Sequence, residues 1–140
     1  LLVSTAAHAA GDDVMTVESD SAFADVATGI ENAIVNRGFK VDYHGYIGDM
    51  LKRTASDVDA EKALYKDAEF FTFCSAVVSR KVMEADVGDI AYCPYVVFAY
   101  ETVDKPGSVT VGFRKLPDGG ARDEVNALLS GIIKDAAEGF

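Results

Sequence analysis

The chain has 140 residues, of which 49% are hydrophobic and 26% charged, with a formal net charge of -10. That length predicts one domain with a real core, and these proportions exclude a disordered or low-complexity chain. The 13 basic residues are scattered rather than clustered, which argues against nucleic acid as a partner and against electrostatic binding to an anionic membrane. The acidity serves solubility, and it would also steer a basic partner, such as a periplasmic electron-transfer protein, towards this surface.

The first residues, Leu1-Leu2-Val3-Ser4-Thr5-Ala6-Ala7-His8-Ala9-Ala10, read as the tail of an apolar signal segment. Ala7-His8-Ala9 fits a small-x-small cleavage site, with the cut before Ala10. The expected organisation is therefore a signal-peptide remnant over 1–9 and a single domain over 10–140. No other apolar run approaches the roughly 20 residues of a membrane span. The expected mature protein is periplasmic or secreted, and loses His8, leaving His44 as its one histidine.

Val14 to Val17 alternates and predicts a first strand. Ser19, Asp20 and Ser21 offer N-caps for a helix whose stripe is Phe23, Val26, Ala27, Ile30, Ala33 and Ile34, ending at Gly38. Phe39, Val41 and Tyr43 alternate with polar residues and predict a second strand. Ile47, Met50 and Leu51 suit a short helix between Gly45 and Ser56, followed by a polar stretch from Asp57 to Lys66. Glu69 to Cys74 predicts a third strand and Ser75 to Ala85 a helix, packing through Val78, Val82 and Met83. Tyr95 to Tyr100 is the clearest strand, turning at Lys105-Pro106-Gly107 into a partner over Ser108 to Arg114. A last helix from near Asp123 carries Val125, Leu128, Leu129, Ile132, Ile133 and Ala136 on one face. The order predicts an α+β fold, a single antiparallel sheet with helices packed on one face. Its edge strands would be covered in a homodimer.

The block from Phe73-Cys74-Ser75-Ala76 through Glu84-Ala85-Asp86 and Gly88 to Cys93-Pro94-Tyr95, with the earlier Ile34 to Val41 unit, resembles the family known as domain of unknown function 302. The resemblance spans about Val14 to Arg114. Members place one cysteine at a strand end and a second beside a proline before the next strand. Here the order is Cys93 then Pro94, and Ser75-Ala76 stands where Asn-Pro often follows the first cysteine, which marks an exported subgroup with FCSA and CPY motifs. The resemblance implies a TATA-binding-protein-like α+β sheet. It also implies a setting beside electron-transfer or sulfur-oxidising systems, and it supplies no reaction.

Cys74 and Cys93 are the leading site candidates, and three readings of them stay open. They are buried packing thiols, a disulfide adding about 3 kcal/mol, or a reactive pair with Arg80 or Lys81 favouring thiolate. Neither lies in a C-x-x-C or C-x-x-C-H motif, so the usual signatures of thioredoxin-like chemistry and covalent haem are missing. Ser79, Arg80 and Tyr95, with Tyr43, Tyr46 and Tyr92, are candidates to line a ligand cleft. His44 and Met50 are ligand types suited to haem iron or copper. One mature histidine falls short of a blue-copper or three-histidine zinc site within one chain, and the plain alternative has His44 at a strand end and Met50 filling core. The expected function is a small exported binding or accessory module without catalysis of its own. The alternatives are a thiol-redox or sulfur-carrier protein using Cys74 and Cys93, and a haem or copper protein using His44 and Met50.

Overall fold

The computed structural model describes residues 13–139. The signal-segment reading of 1–9, with its cleavage site and His8, lies outside the described residues.

The elements are β1 (Val14–Ser19), α1 (Phe23–Asn36), β2 (Tyr43–Gly45), α2 (Ile47–Thr54) and β3 (Tyr65–Phe73), then α3 (Ala76–Ala85), β4 (Tyr95–Thr102), β5 (Val109–Arg114) and α4 (Ala121–Ala137). Short 3-10 segments run over Ala55–Val58 and Val87–Tyr92. The strands form one antiparallel sheet in the order β1-β5-β4-β3-β2, so the fold is the α+β class predicted.

β4 shows why the sheet has a core face. Its residues alternate strictly, with Tyr95, Val97, Ala99 and Glu101 buried and their neighbours half-buried, as the two-residue period of a strand requires. Register puts Phe71 opposite Val97, Val97 opposite Phe113, and Ala99 opposite Val111. These side chains share one face, where α1 adds Val26, Ile30 and Ile34 and α4 adds Val125, Leu129, Ile132 and Ile133, all fully buried. Each such side chain contributes about 1.5–3 kcal/mol by leaving water. The apolar stripes of α1 and α4 thus do what their spacing predicts.

The opposite face carries Phe70, Phe98 and Tyr100 in half-buried positions. There Ile47 and Leu51 of α2 border the same surface depression of about 320 Å³. A second depression of about 280 Å³ lies between α2 and residues 60–65. Both are largely apolar, and neither includes a cysteine.

Two local expectations are corrected. α1 starts after Ala22 without a side-chain cap, because Ser19 turns away: its Oγ donates to the Ala137 carbonyl and accepts from the Ser21 N–H, tying β1 to the end of α4. The second strand shrinks to Tyr43–Gly45, because Phe39 and Val41 pack on the core instead of pairing. The link from α3 to β4 carries the 3-10 segment Val87–Tyr92.

Candidate functional site

β3 and β4 are neighbours whose register puts Phe73 opposite Tyr95. The chain leaves β3 as Cys74 and returns to β4 through Cys93-Pro94, whose peptide bond is cis. Both cysteines therefore stand at the same end of the sheet, and their Sγ atoms are 2.9 Å apart, both free thiols. Ser75 starts α3 as an N-cap, its Oγ accepting from the Val78 N–H at 3.2 Å. That start directs Ser79 inward, one turn on.

Ser79 Oγ lies 3.6 Å from Cys93 Sγ and 2.8 Å from the Tyr95 hydroxyl, with both Ser79 and Tyr95 buried. Burial, the largest cause, pushes the Tyr95 phenol above its usual range, while its hydrogen bond with Ser79 acts the other way.

The Cys74 thiol is pushed up from the ordinary 9.0 to about 12. Burial is the largest cause, followed by the hydrogen bond and charge of Cys93 and then the Asp42 carboxylate, while a backbone hydrogen bond from Tyr95 acts the other way. Cys74 as a residue is exposed, with its sulfur turned to Cys93. Cys74 therefore holds its proton and donates to Cys93 Sγ. The Cys93 sulfur thus accepts from Cys74 and lies within hydrogen-bond reach of Ser79 Oγ.

The segment carrying Cys93 is pinned from one side. In a 3-10 helix, side chains three apart eclipse, so Asp86, Asp89 and Tyr92 share one ridge, and all three meet Arg122 of α4. The Arg122 guanidinium donates from Nε and Nη2 to Asp89 at 2.7 and 2.6 Å, lies 3.8 Å from Asp86, and sits over the Tyr92 ring at 5.7 Å. Such a bidentate fork is the strong form of an ion pair. It holds the Asp89 carboxyl below the usual carboxylate range, although burial acts in the opposite direction. Asp86 also closes the start of the segment by accepting from the Gly88 N–H at 2.8 Å.

Cys74, Cys93, Ser79 and Tyr95 thus come together as one site, and Arg80 does not join them. Arg80 projects outward from α3 and pairs with Glu84 at 2.8 Å. Lys81 faces Glu124 of α4 at 3.3 Å. Neither contributes to the state of Cys74, whose charged neighbour is the acidic Asp42. The expectation that these cations favour a Cys74 thiolate is corrected accordingly.

His44 and Met50 have other company. The His44 ring stacks between Tyr46 and Phe71, its Nε2 meets Glu69 Oε1 at 2.5 Å, and its Nδ1 lies 3.4 Å from the Tyr46 hydroxyl. The Met50 sulfur accepts from Thr54 Oγ1 at 3.8 Å. Among the described residues, no three His, Cys, Asp or Glu side chains gather as a metal-binding group. Tyr43 lies against Phe70 on the opposite sheet face, while Tyr92 belongs to the Arg122 clamp. Among the described residues, no helix is long and apolar enough to cross a membrane.

Sequence reasoning missed Asp42, Asp89 and Arg122. The Asp86, Asp89, Tyr92 spacing was a readable 3-10 signal, but its partner lies 33 residues beyond Asp89.

No family model matches the chain, and no curated protein matches it. Among solved structures, it is similar to the crystal structure of an uncharacterized conserved protein, DUF302, from Bacillus stearothermophilus. The TM-score is 0.70 at 12% sequence identity, over 89% of this chain and 98% of that one. The resemblance carried by the cysteine block and this structural likeness agree on one architecture, and the chain has the fold of that DUF302 protein.

Proposed function

We propose that Cys74 and Cys93 form a dithiol that closes reversibly to a disulfide, making the protein a thiol-redox module that works outside the cytoplasm. The observation that carries this reading is the 2.9 Å approach of the two sulfurs at one end of the sheet. An exported protein would meet the oxidising surroundings in which such a bond persists.

The chemistry starts at Cys93, the acceptor of the Cys74 hydrogen bond. Its thiolate attacks one sulfur of a partner disulfide, the partner's S–S bond breaks, and a mixed disulfide forms. Cys74 then loses two of the causes that hold its proton, because a sulfur in a mixed disulfide neither accepts its hydrogen bond as before nor carries charge. Its thiolate attacks Cys93 Sγ, closing the Cys74–Cys93 bond and releasing the second partner sulfur. Two electrons pass from the dithiol to the partner disulfide, and the two thiol protons end on the partner's two sulfurs. Run backwards, the oxidised module oxidises a partner dithiol.

The test uses a small neutral disulfide, hydroxyethyl disulfide, and intact mass. Cys74→Ser accumulates a stable mixed disulfide on Cys93, whereas the native protein passes through it to an internal disulfide. Equal, lasting adducts on both proteins overturn the reading.

A further inference from the structure

The Arg122 clamp has an opposite side. The 3-10 segment Val87–Tyr92 has three residues per turn, so pinning the Asp86, Asp89, Tyr92 ridge against α4 aims a second ridge outward. That ridge is Val87 and Ile90, just before Cys93, whose sulfur turns to Cys74 and Ser79. Val87 is 83% exposed and Ile90 65% exposed, and the Ile90 carbonyl accepts the Cys93 N–H at 3.1 Å, closing the last turn. Val87 is the most exposed of the large hydrophobic side chains in the described residues. Solubility would favour polar side chains at both positions, as at Glu84 and Asp86 just before them.

We propose that Val87 and Ile90 form a docking strip that leads to Cys93, and that its occupant is a polypeptide whose disulfide is flanked by apolar residues. This rests on the dithiol reading above and names its substrate class. An apolar pair six and three residues before the attacking Cys93 gives binding energy to a partner presenting apolar side chains beside its disulfide. It gives nothing to a small polar disulfide. The net charge of -10 also repels anionic disulfides, which leaves apolar-flanked, uncharged or basic segments as the class that fits. Because Asp89 and Tyr92 hold the other ridge, the strip is presented without reordering, which limits the entropy lost on docking.

The experiment compares exchange rates of the reduced native protein with three probes: hydroxyethyl disulfide, a peptide disulfide flanked by leucines, and the same peptide flanked by serines. The same three rates are measured for Val87→Asp and Ile90→Asp, whose sites are exposed and outside the core. Covering two such side chains predicts about a tenfold preference for the leucine peptide in the native protein. The preference disappears in both variants, while their rates with hydroxyethyl disulfide stay within about twofold of native. Equal rates with the two peptides, alongside normal exchange with hydroxyethyl disulfide, overturn the docking strip and leave the dithiol reading standing. No exchange with any probe overturns both. A native dimer that Val87→Asp converts to monomer makes the strip a self-interface, and this too overturns the proposal.

Discussion

Arg122 grips Asp89 at two points, 2.7 and 2.6 Å, across 33 residues of sequence. The pair joins the last helix to the segment that delivers Cys93. The position of one sulfur relative to the other is therefore set partly by an ion pair belonging to neither cysteine's own strand.

Removing that grip has a pH signature. The folded-state value of Asp89 is depressed, chiefly by its hydrogen bonds to Arg122. A depressed carboxylate contributes stability that is present above its ordinary value of 3.8 and is lost as pH falls through the folded value. Arg122→Gln is therefore expected to lower the urea midpoint at pH 7, with the gap from native narrowing below about pH 4. Urea unfolding at pH 7 and pH 3 checks this. A gap of constant size across that range contradicts the assignment.

Cys74 carries the second prediction. Its thiol is pushed up to about 12 partly by Cys93. Cys93→Ser removes the charge of Cys93 and its thiol hydrogen bond, so Cys74 ionises at lower pH. Alkylation of Cys74 by iodoacetamide at pH 8 is expected to run several-fold faster in Cys93→Ser than in the native reduced protein, on the order of tenfold for each unit of downward movement. In the reduced native protein the raised value has the opposite sign to that of Asp89. Its contribution to stability is intact below pH 9.0 and is lost as pH rises towards about 12.

Phe73 links core and site. It is fully buried, stacks on Phe39 at 5.3 Å and meets Tyr95 edge-on at 5.7 Å. Phe73→Ala is expected to cost about 3–5 kcal/mol in urea unfolding. A loss under about 1 kcal/mol contradicts the packing described.

Gly112 tests the sheet order. A Cβ there would lie 2.8 Å from the Met15 carbonyl oxygen of β1 and 2.5 Å from the Phe98 ring. The ring can move but the strand carbonyl cannot move cheaply, so Gly112→Ala is expected to cost about 1–3 kcal/mol. A neutral result means β1 does not lie where this register puts it.

What the sequence made legible follows the range of the forces involved. Alternation in Tyr95 to Tyr100 and the stripes of α1 and α4 are local periodicities, and each recurs in the structure as a buried face. Cysteines at the ends of two consecutive strands were visible, but their meeting depends on register, which no local pattern states. Phe39 and Val41 alternate like a strand, yet core packing takes them instead of a pairing partner. Arg80 is near Cys74 in sequence, but helix rotation turns it to Glu84. Asp89 and Arg122 were invisible because a long-range ion pair leaves no periodic trace in either of its segments.

The central claim is that Cys74 and Cys93 are one reversible redox pair. Peptide mapping with thiol counting tests it most directly, on native protein treated with a mild disulfide oxidant and then with dithiothreitol. The account predicts loss of both free thiols together, a Cys74–Cys93 linked peptide from monomeric protein, and full return of both thiols on reduction. Thiols that stay free, or links that form only between chains, would contradict it.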